Sequence, residues 1–223
     1  MENESPFVIS ISRQKGCGGA YLGQKLASKL EMAYLDRELI SEIAKKTDES
    51  VAFVEEYDER ILTVWERMIE ALSCSNPWVY NPPPMHIQSF QVSQLESEVI
   101  VKAASEKPVV IVGRASSYLL KDHKNHLSIF LYASKKFRIE RIQEVYGVSA
   151  AEARKLIEKA DIDRDRYTKS LSGTNMCEAT QYHLGLDTGV LGLGKAEYVI
   201  LQYIRARFPD IAPARAGHRH ELN

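Results

Sequence analysis

The segment Arg13-Gln14-Lys15-Gly16-Cys17-Gly18-Gly19-Ala20-Tyr21-Leu22-Gly23 narrows the choice of fold more than any other part of the chain. Directly before it lies an apolar run of strand length, Phe7-Val8-Ile9-Ser10-Ile11. Directly after it, Leu22, Leu26, Ala27 and Leu30 recur at i, i+4, i+5 and i+8, the spacing of one buried helical face. Glycines at such a strand-to-helix junction let successive backbone N–H groups converge on an anion, where the helix dipole also favours negative charge. The segment reads as a phosphate-binding loop, with an ordinary strand-to-helix turn as the alternative. It departs from the usual ending, Gly-Lys-Ser/Thr, in having Gly18-Gly19-Ala20 there. The lysine and the metal-binding hydroxyl are both missing from their places.

Further apolar runs are short, rich in branched residues and not strictly alternating, as in strands buried on both faces. They are Val109–Val112, Leu127–Tyr132, His183–Leu186 and the very short Ala33-Tyr34-Leu35. Helical patterns fall between them: Gly19–Leu30, Arg37–Lys46, Val51–Leu72, Val92–Ser105, Ser134–Tyr146, Ala150–Tyr167 and Lys195–Arg207. Strands alternating with helices predict a doubly wound α/β fold with a parallel sheet. Ligands of such sheets bind at the carboxyl ends of the strands. That rule gathers Arg13–Gly19, Asp36, Gly113-Arg114, Ala133-Ser134 and Asp187-Thr188 around one cleft.

Two segments interrupt the alternation. Asn76-Pro77 and Asn81-Pro82-Pro83-Pro84 exclude a regular helix over 73–91 and predict an irregular excursion there. Residues 147–176 are heavily charged and end in the turn composition Ser172-Gly173-Thr174-Asn175. The tail from Pro209 is expected to fray.

Composition narrows the function. A net charge of −1 provides no global field for nucleic acid or an anionic membrane, so positive charge at a phosphate site has to be local. No stretch reaches the ~18 consecutive apolar residues of a membrane span. Cys17, Cys74 and Cys177 form neither a metal-ligand spacing nor an even disulfide framework, which favours a reducing compartment. The amino terminus lacks the basic and apolar regions of a signal peptide. These features together lead us to expect a cytoplasmic globular protein that binds neither nucleic acid nor membrane.

Several blocks, in order, carry a resemblance. Ile11-Ser12-Arg13-Gln14-Lys15-Gly16-Cys17-Gly18-Gly19, Tyr34-Leu35-Asp36-Arg37-Glu38-Leu39-Ile40 and Val110-Ile111-Val112-Gly113-Arg114 come first. Ile129–Ala133 with Phe137–Ile142, Ala160–Tyr167, and Leu186-Asp187-Thr188 with Gly192 complete the series. Across roughly residues 7–205 the chain resembles the cytidylate kinase-like family of P-loop proteins. The resemblance implies a P-loop NTPase fold: a doubly wound parallel five-stranded sheet with a helical acceptor-binding insert (about 37–106) and a lid (about 147–176), in one domain over 1–208. It implies transfer of the terminal phosphoryl group of ATP, with Mg2+, to a nucleoside monophosphate, most closely CMP or dCMP. By position Arg114 matches the family arginine of the acceptor site, Arg164, Asp165 and Arg166 fall in the lid, and Asp36 stands at the entrance to the insert. Cytidylate kinases themselves carry lysine where Gly19 stands and acidic residues where Val112 and Ala115 stand. The cytidylate kinase-like branch is marked by a Gly-Gly loop.

Phosphoryl transfer needs positioning and charge neutralisation more than covalent chemistry. Losing one preorganised donor commonly costs ~2.7–4 kcal/mol, so other residues have to replace the lysine. Candidates are Arg13 and Lys15 on the loop, Arg164, Arg166 and Lys169 from the lid, and the i, i+3 pair Arg138 and Arg141. That pair could equally be a solvated face pairing with Glu140 or Glu144, and Asp163–Arg166 could be surface ion pairs. The backbone of Gly16, Cys17, Gly18, Gly19 and Ala20 would hold the donor phosphates, while Arg114, Asp36 and Asp165 would serve the acceptor. For magnesium Asp36 is the best-placed carboxylate, with Ser10, Ser12 or Thr188 as weaker oxygens. Asp36 could also cap the helix beginning at Arg37. Two other readings remain: a nucleotide-binding regulator that has lost turnover, and a small-molecule kinase with a different acceptor.

Overall fold

A computed structural model describes residues 5–41 and 90–211. The expected helix over Val51–Leu72, the proline-rich excursion at 76–84, Cys74 and the tail beyond 211 lie outside the described residues.

Five strands form one all-parallel sheet: β1 (Val8–Arg13), β2 (Ala33–Asp36), β3 (Val109–Val112), β4 (His126–Tyr132) and β5 (Leu184–Asp187). Their order across the sheet is β2-β3-β1-β4-β5, so β1 is central. The helices are α1 (Gly19–Lys29), α2 (from Arg37, followed as far as Ser41), α3 (Phe90–Glu106), α4 (Ser116–Leu119), α5 (Lys135–Tyr146), α6 (Ala150–Ser172), α7 (Thr188–Leu191) and α8 (Leu193–Arg207).

Both faces of the sheet are covered, as continuous apolar strands require. On one face Ile9, Ile11, Val110, Val112, Leu127, Ile129 and Leu131 pack on Leu22, Leu26 and Ala27 of α1 and on Ala196, Ile200 and Ile204 of α8. On the other, Val8, Leu35, Val109 and Ile111 pack on Ile100, Ala103 and Ala104 of α3. Burial of each large aliphatic side chain contributes roughly 1.5–3 kcal/mol, which fixes the strand ends as a rigid rim.

Polar residues within the central strand are satisfied below that rim. Ser10 Oγ lies 2.7 Å from His126 Nε2 and 3.0 Å from Ser117 Oγ, and Ser12 Oγ lies 3.2 Å from Ser117 Oγ. Burial lowers the His126 pKa to about 3, with His183 adding to the effect, so its ring is neutral. Ser10 is fully buried in this network and is therefore unsuited to reach an ion in the cleft. Thr188 is likewise buried, and its hydroxyl donates to Tyr132 O.

Candidate active site at the carboxyl ends of the strands

β1 ends at Arg13, and the chain turns through Gln14–Gly18 into α1. Gly18, at φ 76° in the left-handed region, is the N-cap of α1 and makes no side-chain capping bond. Among the described residues nothing accepts a hydrogen bond from the N–H groups of Gly16, Gly18, Gly19 or Ala20. Four other helices are closed by side chains: Asp36 caps α2, Ser134 caps α5, Ser149 and Glu152 form a capping box on α6, and Asp187 caps α7, whereas α4 and α8, begun by Ala115 and Gly192, have no side-chain cap. The open start of α1 leaves donors that an anion can take.

The rest of the loop is tied to the lid helix. Asp161 of α6 accepts from Lys15 N–H at 2.7 Å, from the Arg138 guanidinium of α5, and from Arg164 Nη1 at 3.4 Å. Arg138 also donates to Lys15 O at 3.3 Å. The Lys15 ammonium is turned away, donating to Tyr146 Oη at 2.9 Å while lying over its ring. Arg138 and Arg164 are thus brought to the loop, whereas the Lys15 charge is not.

Arg13 occupies the space that an ordinary loop side chain would need. A Cβ on Gly19 would meet Arg13 Cγ at 2.7 Å, and one on Gly113 would meet Arg13 Nη1 at 2.0 Å. The guanidinium therefore lies between the start of α1 and the turn after β3. It is half-buried and makes no hydrogen bond or ion pair with the described residues. Burial lowers its pKa, opposed by Tyr34, Glu38 and Asp36. Arg164 is lowered to about 9, first by burial and next by the charge of Arg13. Like charges this close favour a negative group between them, and for Arg164 Asp161 supplies one at 3.4 Å.

After β3 come three left-handed residues in succession: Gly113 (φ 92°), Arg114 (φ 57°) and Ala115 (φ 51°). For the two with side chains this costs roughly 1–2 kcal/mol each, and strain of this kind collects at functional sites. The turn drives Arg114 under α3, where its guanidinium pairs with the fully buried Glu96. Ser41 Oγ donates to Glu96 at 2.6 Å, Tyr167 Oη donates to it at 3.3 Å, and the Tyr167 ring covers Arg114 at 4.6 Å. Burial lowers the Arg114 pKa to about 10.

Asp36 does cap α2, accepting from Glu38 N–H and Leu39 N–H at 3.2 Å each. Burial, reinforced by Glu38, raises its pKa to about 6. Other expected site residues lie apart. Arg141 is half-buried and Arg166 exposed, and neither forms an ion pair with a described residue. Asp165 accepts from Met176 N–H at 2.7 Å and so fastens the turn after α6. Cys17 is a buried core residue whose pKa burial raises to about 11, which makes it a poor thiolate.

A sequence profile of the cytidylate kinase-like family matches residues 8–190, most of the chain. The chain belongs to that family. Among solved structures, this cytidylate kinase-like chain is similar to an uncharacterized protein from Eubacterium ventriosum ATCC 27560 (TM-score 0.68, 23% identity, 90% of this chain and 99% of that one covered). It is more distantly similar to a shikimate kinase from Bacteroides thetaiotaomicron (TM-score 0.47, 13% identity, 90% and 97% covered). A gluconokinase from Sinorhizobium meliloti 1021 is at TM-score 0.43 and 12% identity, with 90% and 98% covered. No curated protein sequence matches at a significant level. The fold is that of a P-loop kinase, and among the described residues no helix is long and apolar enough to cross a membrane.

For a cytidylate kinase-like chain the implied cofactors are ATP and Mg2+. Among the described residues no three His, Cys, Asp or Glu side chains cluster to hold a metal ion. Magnesium that arrives with the donor phosphates would keep several of its waters. The two residues that organise this site and that the sequence did not single out are Glu96 and Asp161. A lone acid on an amphipathic helix carries no pattern that distinguishes a buried counterion from a solvated one.

Proposed function

We propose that the protein transfers the terminal phosphoryl group of ATP to a nucleoside monophosphate, with CMP or dCMP the foremost acceptors. One observation carries the reading: the uncapped start of α1 follows a loop lined by Arg13 and reached by Arg138, with Arg164 joined to it through Asp161. The amides would hold the donor phosphates, and the arginines would supply the charge that the missing lysine supplies elsewhere. Asp161 stands in for part of that anion. An incoming polyphosphate would take over its contacts with Lys15 N–H, Arg138 and Arg164. α6 would then close on the transferring group and exclude water.

A coupled ADP-release assay over all nucleoside monophosphates, with ATP and magnesium, tests the proposal. Turnover is expected with CMP or dCMP. Saturable ATP binding with no turnover on any acceptor would instead establish the regulatory reading. That reading is favoured by Gly19 and Ala20, which bring neither cation nor hydroxyl to the loop.

A further inference from the structure

Three neighbouring strands each bring an arginine to the same edge of the cleft. β2 pairs with β3 so that Asp36 lies beside Val112, and β3 pairs with β1 so that Val112 lies beside Ile11. The chain therefore delivers Arg37 just beyond β2, Arg114 just beyond β3 and Arg13 at the end of β1, side by side.

Their situations differ. Arg114 has its counterion built in, the buried Glu96 carboxylate, and Tyr167 covers its face. Arg37 and Arg13 are both half-buried, and their side chains form no hydrogen bond or ion pair with the described residues. Of the nearby carboxylates, Asp36 turns Oδ1 onto the first turn of α2, and Glu38 forms no ion pair with a described residue. Arg13 Nη1 reaches the turn at Gly113, directly after the residue that Asp36 pairs with, and the positive charge of Arg37 is felt by Arg13, Arg114 and Arg164.

We propose that Arg37 grips a phosphomonoester on the acceptor, with Arg13 standing between that group and the donor phosphates and serving both, and that Arg114 is a positioning residue that shapes the site without touching the acceptor phosphate. Calling this edge the acceptor side rests on the phosphotransferase reading above. Two guanidinium groups without partners among the described residues match a dianion in charge and in the number of donors they carry. Arg114 is already neutralised, so a second anion would have to compete with Glu96 for it.

The experiment follows the arginine Nε–Hε NMR signals of the full chain while inorganic phosphate and then CMP are added. The Arg37 and Arg13 signals should shift saturably by roughly 10 mM phosphate, a level that nearly saturates a site of about 1 mM affinity, and the Arg114 signal should stay in place. In Arg37→Ala, CMP binding should weaken by about tenfold or more, with Arg37→Lys recovering part of the loss and cytidine unaffected. ATP affinity and the urea midpoint should match the wild type, which separates a lost contact from misfolding. An Arg114 signal that moves while Arg37 stays would overturn the proposal. Turnover in Arg37→Ala with an unchanged KM for CMP would reject the clamp and leave the kinase standing. A normal Arg37 response to phosphate, without turnover on any nucleotide, would reject the kinase and leave the clamp.

Discussion

The stem of Arg13 lies where any side chain at Gly19 would have to begin, because a Cβ there would come within 2.7 Å of Arg13 Cγ. Gly19 is the position at which an ordinary phosphate loop carries lysine. The two arrangements therefore exclude each other: the cation comes either from the helix start or from the end of β1. Gly19→Lys alone should lower stability by roughly 1–3 kcal/mol through overpacking, without raising turnover. Arg13→Gly combined with Gly19→Lys should recover most of that stability. Urea midpoints and ADP release on the three variants decide the matter. A single Gly19→Lys protein as stable as the wild type and more active would contradict this account.

The buried Glu96–Arg114 pair makes a sharper stability prediction. Removing one partner leaves the other charge buried and uncompensated, so Arg114→Met should cost about 3–5 kcal/mol. Replacing both, with Glu96→Gln beside Arg114→Met, should cost clearly less. Chemical denaturation at neutral pH reads the difference. Additive losses would mean that the two side chains act independently.

Asp36 and His126 give opposing pH dependences. Burial raises Asp36 from 3.8 to about 6, so its contribution to stability is complete below 3.8 and is lost as the pH rises through about 6. Burial lowers His126 from 6.5 to about 3, so its contribution is complete above 6.5 and is lost as the pH falls towards about 3. Asp36→Asn isolates the first effect, because asparagine caps a helix about as well as aspartate. Between pH 4 and pH 7 the wild type should lose stability relative to the variant, by at most about 3 kcal/mol. A difference that stays constant across this window would show that the Asp36 carboxyl titrates normally.

Asp161 holds the phosphate loop through Lys15 N–H and Arg138. Asp161→Asn should cost roughly 1–3 kcal/mol and release the loop locally. Hydrogen exchange should show the Lys15 amide losing protection while the amides of β1 keep theirs. Retained protection at Lys15 would assign the fastening to other contacts.

Much of the fold was legible because its punctuation is strong. Val109–Val112 stands between Pro108 and Gly113 and is the observed β3 to the residue. β1 runs two residues past the apolar run, because Ser12 and Arg13 still pair with Phe130 and Leu131 of β4. α6 runs on to Ser172 until Gly173 takes a left-handed conformation. The site was harder to read. Helical spacing put Arg138 and Arg141 on one face, but the buried stripe of α5 is narrow, holding Arg138 and Ile142 and leaving Arg141 at its margin. Asp161 looked like one charge in a run of solvated ones, and Glu96 fell within an amphipathic pattern. Their partners are distant in the chain, and a pairing of that kind leaves no local periodicity to detect.

Asp161, Arg164 and Tyr167 follow one another at intervals of three along a single uninterrupted helix of 23 residues. The first holds the loop and is itself held by the second, and the third rests on Arg114 and Glu96. The helix behaves as a stiff lever with both hands engaged. A movement of this helix as one rigid body would act on both grips at once, so what happens at the loop would be felt at Arg114.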